Sequence, residues 1–452
     1  VPSGLIVVIG GGISGLGVAY SLHQAGVPVR LIEADAEVGG VIRSIRTDGF
    51  LIESGPNSAL NSSLEVERVV AELGLLPERV FASPSSRKRY IVKRGVPIPL
   101  PTGLWSFVTT PLWSGRAKRR LFAEPFASPA PPGDESIANF TRRRLGVEFL
   151  EYAVDPFVSG VYAGDPEALS LAATFPRLAA LERDHGGLIR GAIAGISRPK
   201  EAKPVRRGIY SFRDGLAALP RAIGARLGEG LWVNARVRQI ERAGAAFRVQ
   251  VDRGGGAVQD LDAAKVVVAT PTDVAAGLLR VIAPGLAEDL LAIVYAPIAV
   301  VFTAFPRTSV AHPLDGFGCL VPGREQRTIL GSLWTSSFFP GRAPDGLVAL
   351  TTFVGGARHP DLTALADDSL VRIVCEDLAR LFGVGGPPAF ARVIRHPRAI
   401  PQYLLGHGER VARITRAVEA IPGLALAGNY LSGVAVGDCL ARGVELGRRL
   451  SR

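Results

Sequence analysis

The sequence predicts an α/β protein, and three stretches carry the prediction. Residues 5–9 form an unbroken apolar run that leads into Gly10, Gly11 and Gly12. A helical pattern follows through Ala19 and Leu22 and closes at Gly26, after which Val27 to Ile32 reads as a second strand ending on Glu33. At the far end, residues 423–427 read as another strand, and a second glycine loop at Gly433 opens a helix through Leu450. Strand, glycine loop, helix and strand in that order make a βαβ unit. A matching strand and helix at the opposite end imply a sheet assembled from separated segments.

The spacing of the first loop has a mechanical reading. Gly10 makes the tight turn, Gly12 lets backbone approach a pyrophosphate, and Gly15 lets helix and strand pack closely. The helix start at Ile13 and Ser14 then presents unpaired N–H groups and a positive dipole end to phosphate. Glu33 suits ribose hydroxyls and would repel a 2′-phosphate. The bland alternative is a glycine-rich turn in an ordinary α/β unit, and the strand, helix and acid together argue against it. A plain nicotinamide enzyme would continue with another βα unit here. Instead Gly39, Gly40 and the turn Gly55, Pro56, Asn57 follow, which suits backbone passing close to a larger dinucleotide; a pair of surface turns is the competing reading.

A length of 452 residues implies two or three domains. The mean hydropathy of +0.25 is high, yet no apolar run reaches the ~18 residues of a membrane span; residues 292–305, the longest, are interrupted by Pro297. The first strand is expected so near the start that no signal peptide is read, and a cytoplasmic location follows. Cys319, Cys375 and Cys439 lie far apart and the six histidines show no ligand spacing, so neither disulfide nor metal is expected. The net charge of +11 allows nucleic acid, an anionic membrane surface or an acidic ligand. No nucleic-acid module is recognisable, so a nucleic-acid partner is set aside. Methionine is absent, and composition offers no physical reason for it.

Between the ends, an amphipathic helix is expected over 64–75 and short strands over 87–92 and 96–100. From 101 to 132 the composition changes: Trp105, Phe107 and Trp113 stand beside Arg116, Lys118, Arg119 and Arg120. Rings beside cations suit an interfacial membrane contact; an ordinary helical subdomain with buried tryptophans is the alternative. Helical patterning over 135–150 and 168–196 continues this insertion, which ends in the charged, proline-containing stretch 197–207. Strands follow at 231–241 and 247–252, a turn at 253–256, and strands at 257–261 and 265–269. A second mixed region, 284–401, has strands over 297–305, 318–321, 329–334 and 347–354 and a helix over 369–382, and suits a substrate domain. The expected partition is 1–80, 208–273 and 412–452 for the nucleotide domain, 81–90 and 274–411 for the substrate domain, and 91–207 for a helical membrane-binding domain.

These residues, with Lys88 to Ile91, the stretch from Ser159 to Asp165, the stretch from Gly316 to Pro322, residues 400–403 with Gly406 and His407, and the close at 433–436, resemble the flavin-containing amine oxidase superfamily. Within it they are most similar to the oxygen-dependent protoporphyrinogen oxidases. The resemblance implies a non-covalent FAD, a tetrapyrrole substrate, O2 as acceptor, peripheral membrane contact and a cytoplasmic, membrane-associated location; a homodimer is left open. It implies FAD contacts from Gly10, Gly12, Ile13, Ser14, Gly15, Glu33, Ala34, Gly39, Gly40, Gly55, Pro56, Asn57, Val237, Ala269, Gly428, Gly433, Val434, Ala435 and Val436. Arg89 would pair with a propionate, and Phe317, Leu333 and Phe353 would sandwich the macrocycle, although each could serve as edge or core. Gly160 would place or deprotonate substrate through its carbonyl, and Asn57 would sit near the flavin ring, so these two are the catalytic candidates. Cys319 and Gly437 depart from residues common in relatives. A coproporphyrinogen III oxidase of the same fold is the near alternative. An amine oxidase, or a non-catalytic lipid-binding chaperone like the GDP-dissociation inhibitors, is more remote.

Overall fold

The computed structural model describes residues 4–61, 63–130, 133–196, 208–254 and 258–452. The expected linker 197–207, the turn at 255–256 and Ala257 at the head of its return strand lie outside them.

Five parallel strands form the first sheet, in the order Leu231–Trp232, Val29–Ile32, Ile6–Ile9, Lys265–Val268 and Leu424–Leu426. A parallel sheet covered on both sides needs strands that are apolar at every position, and Ile6, Val7, Val8 and Ile9 are all buried. Ile6 and Val8 face helices Ile13–Gln24, Ala218–Leu227 and Val436–Leu450. Val7 and Ile9 face a three-stranded meander, Arg236–Ala243, Ala246–Asp252 and Val258–Ala263, together with helices Thr272–Leu279 and Pro284–Leu291.

A seven-stranded mixed sheet runs Phe390–Pro401, Tyr295–Pro306, Leu347–Gly355, Ile329–Leu333, Gly316–Leu320, Lys88–Lys93 and Val96–Pro99. Helix Asp367–Phe382 covers one of its faces through Leu370, Val374, Leu378 and Leu381. Short helices fill most of 104–196, held internally by a buried ion network in which Arg144 meets Glu124 and Glu182 and Arg143 meets Glu135 and Glu182.

The structure corrects several boundaries. The hairpin Lys88–Lys93 and Val96–Pro99 belongs wholly to the seven-stranded sheet, because its hydrogen bonds run across the position 90/91 where a domain border was expected. The border expected at 273/274 falls inside Thr272–Leu279, whose Ala275, Ala276 and Leu279 pack under the parallel sheet. The expected strand 231–241 is split, since Asn234 takes a φ of +49° and sends its two halves to different sheets. The helical pattern at 135–150 breaks at Gly146, with φ +96°. The 12-residue edge strand Phe390–Pro401 was not expected: Arg392, Arg395, Arg398 and Pro397 disguise it, and such residues discourage pairing at a sheet edge. Trp113 is core, stacked on Phe149 at 4.7 Å, while Trp105 is exposed.

Candidate active site

The first glycine loop is shaped by close packing on one side and left open on the other. Gly10 has φ +104°, and a Cβ there would stand 2.8 Å from the Ala269 carbonyl oxygen. A Cβ on Gly15 would overlap the Gly10 carbonyl. Gly12, in contrast, would direct a Cβ into open space, which is the geometry an approaching pyrophosphate requires. Gly39 lies alongside, its N–H donating to Gly11 O at 2.8 Å. A Cβ on Gly40 would meet only the Gly12 Cα, at 3.5 Å. Glu33 stands at the mouth of the loop, Oε2 accepting from Gly11 N–H (2.6 Å) and Oε1 from Asp35 N–H (2.8 Å). Ala34 is exposed next to it, and the Glu33 carbonyl accepts from Ala235 N–H, two residues before Val237.

The second loop is brought to the first by a glycine crossing. A Cβ on Gly443 would overlap the Ser14 carbonyl oxygen, one on Gly447 would lie 2.6 Å from Val18 O, and one on Gly17 would lie 2.8 Å from Leu440 O. Helices Ile13–Gln24 and Val436–Leu450 therefore touch backbone to backbone and run in the same direction. Both N termini, from Gly12 and from Ala435, end at the carboxyl edge of the parallel sheet, so two positive dipole ends point at one place, an arrangement that favours a bound anion there. Gly433, at φ +69°, takes a hydrogen bond from Cys439 Sγ (3.4 Å). Val434 packs against the cluster containing Tyr162 and Tyr403. Tyr403 donates its hydroxyl hydrogen to Asn429 O, the residue after Gly428. His407 stacks on Tyr403 at 4.5 Å, and burial, with Arg410 nearby, pushes its imidazole down to about 4.

A third segment links this edge to the seven-stranded sheet. Gly55 lies against the Val41 carbonyl so closely that a Cβ would overlap it, which fixes the turn into Pro56 and Asn57. Asn57 is buried; its Nδ2 donates to Gly55 O (3.2 Å), while Oδ1 has no partner among the described residues. His396 Nε2 donates to Ser54 O at 2.6 Å; a carbonyl only accepts, so the proton sits on Nε2.

His396 marks the end of the sheet face not covered by helix Asp367–Phe382. Across that face Arg89, Gly318, Leu333 and Thr351 form one row, and Ile91, Leu320, Gly331, Phe353 and Val300 the next; residues two apart on a strand share a face. The pairing shifts between Gly316 and Gly318, and this bulge lets Phe317 lie under Arg89, with guanidinium and ring 5.5 Å apart. Phe317 in turn stacks on Phe338 at 4.3 Å. Arg89 makes no ion pair among the described residues and is exposed. Gly160, on helix Asp155–Tyr162, closes down on the same face: a Cβ there would overlap Leu320 Cδ2. The fold thus collects Arg89, Phe317, Leu333, Phe353 and Gly160, which are far apart in the chain.

A family model described as flavin containing amine oxidoreductase matches residues 13–449. The chain belongs to the flavin-containing amine oxidoreductase family. Among its relatives, the chloroplastic protoporphyrinogen oxidase of Nicotiana tabacum is 34% identical over 97% of this chain and 84% of its own length. The coproporphyrinogen III oxidase of Bacillus subtilis is 31% identical, covering 97% and 96%. The fold matches that of a crystal structure from Exiguobacterium, provisionally named a protoporphyrinogen oxidase, with a TM-score of 0.83, 26% identity and 99% of both chains covered. Cyclohexylamine oxidase from Brevibacterium oxydans, at 17% identity and a TM-score of 0.71, shares the fold.

As a member of this oxidoreductase family the chain uses a flavin, and its residues fit one. Gly12 and Gly40 leave a side-chain-free cradle, two helix N termini converge beside it, and the buried Asn57 Oδ1 lacks a partner among the described residues. Sequence reasoning missed His396 and the Gly17, Gly443 and Gly447 crossing. Histidine spacing carried no signal for the first, and the i, i+4 pair Gly443 and Gly447 could have disclosed the second.

Proposed function

We propose that the chain is an FAD-dependent oxidase that converts protoporphyrinogen IX to protoporphyrin IX while three O2 are reduced to three H2O2. FAD is held without a covalent bond; in support, Cys439, the cysteine beside the glycine loop, is buried and engaged with Gly433 O. The observation that carries the substrate reading is the guanidinium of Arg89, which makes no ion pair among the described residues and stands beside the apolar Phe317, Leu333, Leu320 and Phe353. A planar guanidinium takes a carboxylate in a bidentate fork, and the apolar wall suits a macrocycle with few charges. Coproporphyrinogen III brings four carboxylates and would need further unpaired cations; Arg358 and Arg398 near this face are both engaged with aspartates.

Mechanism follows from placement. Bound flavin supplies the acceptor for the hydride leaving a methylene bridge. Arg89 anchors one propionate, Phe317 and Leu333 hold the ring against the sheet, and Gly160 and Phe353 bound it at the flavin-side end of the face. His396 and the 54–57 turn fix Asn57 where the two regions meet. None of these residues acts as a dedicated acid–base pair; geometry is their contribution.

The enzyme is proposed to be cytoplasmic and peripherally attached to a membrane through the helical region. No helix among the described residues is long and apolar enough to cross a membrane. Leu104, Trp105, Phe122 and Phe126 are 78–84% exposed, near Arg116 and Arg119, and such a set suits insertion of rings at an anionic surface.

The deciding experiment records the visible spectrum of the purified protein and compares anaerobic flavin bleaching by the two porphyrinogens. Faster bleaching by protoporphyrinogen is expected. Absence of flavin absorbance after FAD addition would end the oxidase reading, and faster bleaching by coproporphyrinogen would reverse the substrate.

A further inference from the structure

Helix Asp155–Tyr162 is held by an unusual set of contacts for a segment that only walls a cleft. It is entered through a π-helical turn, Leu150–Val154, where Pro156 lacks the N–H that a regular turn would use. Arg358 Nη2 donates to Asp155 Oδ1, at the first residue of the helix, and to Asp165 Oδ1 (3.2 Å), just past its end. Asp155 Oδ2 also accepts from Gly323 N–H at 2.8 Å, which ties it to the turn between Gly316–Leu320 and Ile329–Leu333. Beside Arg358, Ala357 N–H donates to Ala163 O at 2.7 Å, and Ala163 has φ +48°. A Cβ on Gly356 would stand 2.8 Å from that same oxygen. Both ends of the helix are therefore fastened to residues that follow strand Leu347–Gly355, the strand that carries Phe353.

We propose that Arg358 is a positioning residue: its guanidinium bridges Asp155 and Asp165 across the helix and thereby sets the separation between Gly160 and the sheet face carrying Leu320, Phe353 and Leu333. The inference rests on the oxidase reading for its effect on rate, but the bridge itself does not. Both contacts come from one nitrogen, Nη2, so a single point of positive charge holds the two carboxylates at a fixed separation. The two carboxylates flank the helix, so the bridge adds to the Gly323 and Ala357 contacts in holding both of its ends against Leu320, which Gly160 meets without a side chain between.

The test uses full-length holoenzyme with Arg358→Leu, Arg358→Lys and Asp165→Asn, the last being a milder variant that retains the Asp155 pair. Hydrogen exchange over residues 155–165 reads the bridge without substrate; protection in Arg358→Leu is expected to fall at least about 10-fold while bound flavin is retained. Anaerobic flavin reduction at saturating protoporphyrinogen is expected to slow on the order of 10- to 100-fold, the effect of a small misplacement, with Arg358→Lys restoring rate and protection in parallel. Unchanged protection overturns the proposal, as does lost protection with a wild-type reduction rate. If Arg358→Leu does not fold, the same two readings on Asp165→Asn decide it. A wild-type enzyme inert to both porphyrinogens would instead count against the oxidase reading, and the exchange result would still decide the bridge.

Discussion

Arg342 lies 3.4 Å from Glu53, and both side chains are only 3% exposed. The pair joins the loop after Thr335–Phe338 to the strand Phe50–Glu53, whose next residues turn into Asn57. Arg342 also donates to Ser211 Oγ at 2.8 Å, and Glu53 accepts from Ser44 Oγ (2.6 Å) and Leu216 N–H (2.8 Å). Burial raises the Glu53 carboxyl and lowers the Arg342 guanidinium from their ordinary values. Truncation to Arg342→Ala is expected to cost about 3–5 kcal/mol, because it leaves a buried carboxylate uncompensated. Urea unfolding of the variant checks this; a loss below about 1 kcal/mol would show that Ser44 and Leu216 suffice.

The crossing of the first and last helices leads to a second prediction. In Gly443→Ala the new methyl meets the Ser14 carbonyl oxygen, a backbone atom that cannot swing aside. The helices must separate, at roughly 1–3 kcal/mol for the overpacking. The two N termini move apart as well, so the ratio of flavin to protein absorbance after purification is expected to fall. Full flavin occupancy in this variant would show that the helix ends need not be so closely set.

For Arg89 the expected outcome is a rise in KM with flavin content unchanged. Loss of a hydrogen bond between charged groups is worth about 1.5–3 kcal/mol, so Arg89→Ala should raise KM on the order of 10- to 100-fold. Arg89→Lys should recover only part of it, because an ammonium cannot make the fork. Lost flavin in Arg89→Ala would make the residue structural.

His407 gives the protein a pH-dependent stability. Its folded-state imidazole titrates at about 4, against 6.5 when unfolded, so between those values the unfolded chain binds the extra proton. Stability is therefore full above about pH 6.5 and is lost as pH falls towards 4, by about 2 kcal/mol at pH 5. Urea titrations at pH 7.5 and pH 5 measure it. The difference should shrink in His407→Phe, which keeps the stacking on Tyr403.

Vesicle flotation tests the exposed ring cluster. Trp105→Ala with Phe126→Ala is expected to weaken flotation on anionic vesicles, and Arg116→Glu with Arg119→Glu to abolish its dependence on anionic lipid. Equal flotation of all variants would assign these rings another role.

Much of the parallel sheet and its helices was legible because its signals are local. Residues 5–33 contain strand, turn glycines, helix and acid in one run, and each element forms for reasons within that run. The strand 423–427 and the final helix were legible on the same grounds. Phe390–Pro401 was not, because an edge strand protected by arginines and proline has no clean alternation to read.

The sequence by itself determined the residue types that a dinucleotide site requires, in Gly10, Gly12, Gly15 and Glu33, and the apolar runs that become sheet. Which of these residues meet was decided only by tertiary structure. Register across seven strands aligned Arg89 with Leu333, a bulge turned Phe317 beneath Arg89, and backbone contact through Gly17 and Gly443 brought the two ends of the chain to one site. Strand pairing and helix crossing are long-range contacts, and their partners lie too far apart in sequence for any local pattern to record them.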